Sequence, residues 1–204
     1  MKKTFIFIVL IFLSCDNRIK KSEDKIIIEL YTANKMLPFD EGISIMKVGN
    51  FEDRDSLFRH RARFDTLNNS IIFAGKFEVD ESDLSNEPVL TDKDILGFDF
   101  EKNHLLIDST AIVKLENLEI SNLWSRQFIL TADNEPILKG YLYGIWSSSL
   151  VHDNFIFLSH YNNDFKGDTL GLQVGYMFAP PFSKNDGIHY DYTKNKAFYN
   201  AFRD

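Results

Sequence analysis

The chain has little of what several protein classes require. Cys15 is the only cysteine among 204 residues, so no disulfide can form within the chain and a disulfide scaffold is excluded. Basic residues are in deficit, with 23 Lys and Arg against 30 Asp and Glu and a formal charge of −7, which excludes a strongly basic nucleic-acid binder. Ten Gly and five Pro are too few for a collagen-like fibre, and 44% apolar residues are too many for a disordered acidic tail. The glycines never form a phosphate loop of the G-x-G-x-x-G or Walker kind, and no H-E-x-x-H, Asp-rich calcium loop or G-x-S-x-G elbow is present.

What the chain has is concentrated at its start. Met1-Lys2-Lys3 is a short positive opening, followed by Phe5 to Leu13, nine apolar residues without a charge, and then Ser14-Cys15. As a helix such a run rises only about 14 Å, roughly half of a ~30 Å hydrocarbon core. It is too short for a permanent span and reads as the apolar region of a secretory leader.

The ending Phe12-Leu13-Ser14-Cys15 resembles the lipobox of bacterial lipoproteins. The resemblance implies cleavage before Cys15, acylation of its sulfur and membrane attachment through that lipid, with the domain outside the cytoplasm in the cell envelope. A sulfur held as a thioether is no longer a redox liability. Loss of Lys2 and Lys3 with residues 1–14 takes the charge from −7 to −9. Anionic headgroups do not attract a chain of that sign, so the lipid must hold it. One myristoyl-sized chain binds only marginally, whereas the lipoprotein resemblance implies several acyl chains.

Residues 15–24 are polar and charged in both signs, which reads as a lipidated tether, and residues 25–204 read as one globular domain. Periodicity predicts strands at Ile26–Thr32, Ile43–Val48, Phe58–Phe64 and Ile71–Phe77, the last two forming a hairpin about Asn68-Asn69. A helix over Asp53–Phe64 is the competing reading there. Thr91–Ile95 reads as a helical turn capped by Thr91, His104–Ile107 as a strand, and Ser109–Glu119 as a helix capped by Asp108, with Ile112, Leu115 and Leu118 on its apolar face. Gln127–Thr131 and Ile137–Tyr143 flank Asp133–Pro136 as the clearest hairpin, and strands follow at Phe155–Leu158 and Leu170–Phe178. A short helix over Thr193–Phe202 ends the chain. The class expected is α+β, a mostly antiparallel sheet with one or two helices.

The order Asp94-Ile95, strand, helix and hairpin over residues 90–150 is similar to the periplasmic head region of the SecD export subunit. The likeness lies in order and spacing. The chain lacks the multi-span membrane part of such a subunit, and the translocation role does not transfer with it.

Three groups of residues could carry chemistry. Arg59, Arg61 and Arg63 fall on one side of a strand and could grip a carboxylate or phosphate, although cross-strand Glu78 or Asp80 would neutralise them. Trp146-Ser147-Ser148-Ser149 followed by His152-Asp153 supplies hydroxyls, an imidazole and an acid, but adjacent residues on a strand point to opposite faces. His152, His160, Asp164, His189 and Asp191 crowd the last third without a recognised ligand spacing. The aromatic runs around Tyr190-Tyr192 and Phe198-Tyr199-Phe202 suit either a binding face or core packing, and packing is favoured. The expectation is a lipid-anchored envelope protein with a binding or scaffolding domain for an envelope partner or small ligand, without cofactor, metal, nucleic acid or catalysis. The alternative is an envelope hydrolase or metal-dependent enzyme built on the His-rich third.

Overall fold

A computed structural model of the protein describes residues 25–48, 62–118, 126–144, 151–162, 167–178 and 190–203. It contains strands β1 (Ile28–Thr32), β2 (Ile43–Ser44), β3 (Ala62–Asp65), β4 (Ser70–Phe73), β5 (Ile95–Asp99) and β6 (His104–Asp108). These are followed by helix α1 (Ile112–Glu116), strands β7 (Arg126–Ala132), β8 (Glu135–Tyr143), β9 (Val151–Asn162) and β10 (Thr169–Phe178), and helix α2 (Lys196–Ala201). The class is α+β. A seven-stranded sheet runs β1-β7-β8-β9-β10-β6-β5, and a three-stranded sheet runs β2-β3-β4.

Local chemistry accounts for the tightest turns. Asp133 and Asn134 both take positive φ, 51° and 69°, which is the turn that joins two right-twisted strands with two residues. Glu135 and Pro136, expected in that turn, belong instead to β8. Asn69, at φ 51°, closes the β3–β4 turn, and Asn103, at φ 54°, closes the β5–β6 turn. Asp108 accepts the Thr110 N–H at 2.8 Å and opens the helical segment as expected, with a 3₁₀ turn over Ser109–Ala111 before α1. Ile112, Leu115 and Leu118 all pack on the core. The described helix stops at Glu116; Glu119 lies outside the described residues.

Other expectations need correcting. Ile43–Val48 is not one strand, because after Ser44 the chain enters a 3₁₀ turn over Ile45–Lys47 that turns Ile45 fully inward and leaves Met46 exposed. Thr91 closes the turn with its carbonyl, which accepts the Asp94 N–H at 2.8 Å, but its hydroxyl does not cap by accepting a backbone N–H. Its N–H and its hydroxyl both donate to the Asp94 carboxylate, each at 2.8 Å, so Asp94 organises the turn. The hairpin before Phe77 is real, with Arg63 opposite Ile72 and Phe64 opposite Ile71, but its second strand ends at Phe73 and not at Phe77. Residues 53–61, where the helix reading competed, lie outside the described residues.

The large sheet is mixed. Every pair in it is antiparallel except β8 with β9, which run parallel with Gly140 opposite Asn154 and Tyr143 opposite Phe157. Alternation along these central strands sends side chains into two separate cores. Leu138, Leu142, Ile156, Leu158, Leu172 and Val174 join the larger one, with α1 and α2 packed on it. Tyr141, Tyr143, Val151, Phe155 and Phe157 join the other, which Leu37, Phe39, Ile72 and Phe77 cover. Burial on both faces gives β8 and β9 their near-continuous apolar character.

The sheet also curls toward itself. Residues 83–90 cover the outer edge of β1: Leu30 N–H donates to the Leu90 carbonyl at 2.8 Å, Val89 N–H to Leu30 at 2.7 Å and Ser85 N–H to Thr32 at 2.8 Å. The same segment passes through the Thr91–Asp94 turn into β5, the opposite edge strand. Among the described residues no helix is long and apolar enough to cross a membrane.

Gly140 is the position where the central pair tolerates least. A Cβ built there lies 2.1 Å from the Asn154 carbonyl oxygen, a backbone atom that cannot rotate away. Gly140→Ala is expected to destabilise the fold by roughly 2–3 kcal/mol or more, read as a lower urea midpoint. An unchanged midpoint would mean that β8 and β9 are not held at this separation.

Candidate functional site

The first residues of β9 pass beside the small sheet. His152 N–H donates to the Ala74 carbonyl at 2.9 Å, and its ring Nδ1 lies 3.1 Å from the Phe73 carbonyl. A carbonyl only accepts, so Nδ1 carries the proton of that bond. A cleft of about 500 Å³ opens here, lined by Glu41, Asp65, Asn68, Ser70, His152 and Tyr176. Asp65 faces it from the end of β3, held by the Leu67 N–H at 2.8 Å and by Asn68 through its N–H and side-chain amide. Those bonds, the Asn68 side chain foremost, hold its carboxyl below the usual range. Lys76 lies 3.7 Å from Glu41 with its Nζ 5.6 Å from the centre of the Tyr176 ring. The hydrogen bond to Tyr176 is the main influence raising its pKa.

Asp153 is the most unusual group in this region. Alternation along β9 places it with Val151, Phe155 and Phe157, and only 2% of its surface is exposed. Oδ1 accepts from the Asn154 N–H at 2.8 Å and from Asn154 Nδ2 at 3.2 Å, while Oδ2 has no hydrogen-bond partner. Burial pushes its carboxyl up to about 7, against the opposing pull of Lys139 and Lys76. Lys139 itself sits 5.4 Å from the centre of the Phe77 ring. On the other face of β9, Asn154 accepts the Tyr192 hydroxyl at 3.3 Å and donates to the Lys139 carbonyl at 2.9 Å.

The residues singled out in the sequence are distributed differently. The Arg63 guanidinium donates to the Gly42 carbonyl, from Nη2 at 2.7 Å and Nε at 3.2 Å, tying the turn before β2 to β3. Ile72, and not Glu78 or Asp80, stands opposite it, because β4 ends at Phe73. Arg59, Arg61, Cys15, Trp146, Ser147, Ser148, Ser149, Asp164 and His189 lie outside the described residues, as does the side chain of His160. Asp191 caps a 3₁₀ turn by accepting from Thr193 and pairs with Lys194 at 3.6 Å. His152 and Asp153 are not brought together, since the strand sends them apart. Among the described residues no group of three or more His, Cys, Asp or Glu could hold a metal.

The C-terminal aromatic run is core. Phe198 and Tyr192 are fully buried, and Phe198 meets Phe98 edge to face at 4.8 Å. Sequence reasoning missed Glu41, Asp65, Lys76 and Tyr176, which come together only through the packing of the small sheet on β9 and β10. For Asp153 a signal existed: it shares the parity of Val151, Phe155 and Phe157. Compared with protein families, curated proteins and solved structures, the chain finds no match.

Asp153 makes stability depend on pH. Its carboxyl is neutral in both states below about pH 4, and between about 4 and 7 only the unfolded chain gives up the proton. Stability is therefore lost as pH rises through that window and is level above it. Asp153→Asn is expected to gain on the wild type between pH 5 and pH 8, by on the order of a few kcal/mol, in urea midpoints measured at both. An equal difference at the two pH values would refute the assignment.

Proposed function

We propose that the protein is a lipid-anchored lipoprotein of the bacterial cell envelope, whose domain outside the cytoplasm binds or scaffolds and does not catalyse. The observation that carries this reading is the order of its first fifteen residues: two lysines, nine apolar residues, and then the chain's sole cysteine. Residues 15–24 are the tether, and residues 25–204 work as one folded unit. Acyl chains on Cys15 hold it to the membrane, because a charge of −9 after processing offers no electrostatic attraction.

The cleft at Glu41, Asp65, Ser70, His152 and Tyr176 is the place on this domain for a small polar ligand. It combines carboxylate acceptors, a hydroxyl, an imidazole and an aromatic face. The binding reading is favoured over hydrolysis because the His152 Nδ1 proton goes to a backbone carbonyl and Asp65 is committed to its own turn. An acid–base pair needs the imidazole proton shared with the acid.

Cys15→Ser is expected to leave the protein unprocessed or release it from the membrane fraction, and intact-mass spectrometry should find acyl groups on the wild type alone. Unchanged fractionation together with unchanged mass would overturn the anchor.

A further inference from the structure

The curl of the large sheet leaves a seam. β1 and β5 are its two edge strands, and the segment covering β1 pairs with it at Leu30 and beyond. Toward the start of β1 the edges stay apart, and a groove of about 680 Å³ lies between them. Ile26, Ile28, Ile95, Leu96, Gly97 and Phe202 give it apolar walls. Leu96 is 52% exposed although it is a large apolar residue.

Two facts identify the occupant. Lys25, which also lines the groove, is the residue directly after the tether, ten positions from Cys15. Fully extended, that stretch reaches at most about 35 Å, so an anchored lipid keeps this part of the domain near the leaflet. The rim also carries two exposed lysines in an otherwise acidic protein, Lys25 and Lys93, and Asp92 alone among the lining residues is acidic. Lys25 contacts Asp92 at 2.6 Å, yet 78% of its side chain remains exposed. Long cationic side chains around an apolar surface suit a phospholipid interface, with stems on hydrocarbon and heads on phosphate.

We propose that this groove is the membrane-contacting face of the domain, seating phospholipid from the leaflet that carries the Cys15 lipid. The inference rests on the lipid anchorage proposed above. Contact follows anchoring, because the overall charge of −9 opposes recruitment from solution.

The test uses the full-length acylated protein in phosphatidylethanolamine–phosphatidylglycerol vesicles. With Cys15 acylated, an introduced cysteine is the only free thiol, so Leu96→Cys and Leu67→Cys can each be labelled with a polarity-sensitive fluorophore. Leu67, 93% exposed in the β3–β4 turn, is the control. The expected result is a blue shift and quenching by brominated lipid at position 96 and neither at position 67, with Lys93→Glu weakening the quenching. Protein that floats with the vesicles while both probes stay in water overturns the inference and leaves the anchor standing. Disulfide-linked dimers of unlabelled L96C protein, with no quenching of the labelled protein, assign the groove to a second copy and also overturn it. Protein that neither floats nor carries acyl mass overturns the anchorage, and the inference with it.

Discussion

The parallel contact between β8 and β9 is what the rest of the molecule depends on. On one side of it β1, β7 and β8 are antiparallel neighbours, and on the other β9, β10, β6 and β5 are. Both cores draw side chains from both of these strands: Leu142 and Ile156 on one face, Tyr141 and Phe155 on the other. Separating the pair would therefore open two cores at once, which makes the contact more consequential than its few hydrogen bonds. Gly140 and Gly175 lie on its two sides. The first admits the Asn154 backbone, and the second leaves room for the Phe155 ring, whose nearest atom would be 2.3 Å from a Cβ.

Burial on both faces explains why an acidic residue on β9 is so exceptional. A one-sided sheet could have turned Asp153 to solvent by alternation alone. Here its own face is the Tyr141–Phe155–Phe157 core, so the carboxyl is buried with lysines at a distance and one oxygen without a partner. Its neutral form is the cheaper one at moderate pH. The polar cleft beside it, by contrast, stays open because the small sheet covers only part of the large one.

Much of this architecture was legible in the sequence, and the parts that were not share a cause. The β7–β8 hairpin, the Asp108 cap, the face of α1 and the alternation of β1 all follow from residues a few positions apart. The C-terminal helix is shorter than the Thr193–Phe202 expected: Tyr192–Lys194 forms a separate 3₁₀ turn, and Asn195, accepting from the Phe198 N–H, opens the helix only at Lys196. Pairing order is a different kind of information: nothing in residues 135–162 announces that β8 and β9 run parallel, since that depends on a register between distant segments. The cleft fails to show for the same reason. Glu41, Asp65, His152 and Tyr176 lie on four separate stretches, and none stands in a motif. Arg63 adds a partner that no local pattern announces, since its guanidinium serves a backbone carbonyl 21 residues away.

Among the described residues, folding therefore commits most of the large sheet to structure. The faces of the large sheet are spent on two cores, and the outer edge of β1 from Leu30 onward is hydrogen-bonded to residues 83–90. Little unpaired strand edge remains there to recruit another chain, as edges otherwise tend to do. Two discontinuities stand out among the described residues: the polar gap beside the small sheet and the apolar seam where the curl does not close. Their chemistries differ because their causes differ. The gap is bordered by turns and strand ends, where Asp65 accepts from the Leu67 and Asn68 N–H groups. The seam is bordered by strands whose side chains already face the main core, so its walls are the outer margin of that core. On the anchorage proposed above, the domain would carry its apolar discontinuity beside its attachment point at Lys25. The same chain geometry that brings the segment before β5 back along β1 sets both.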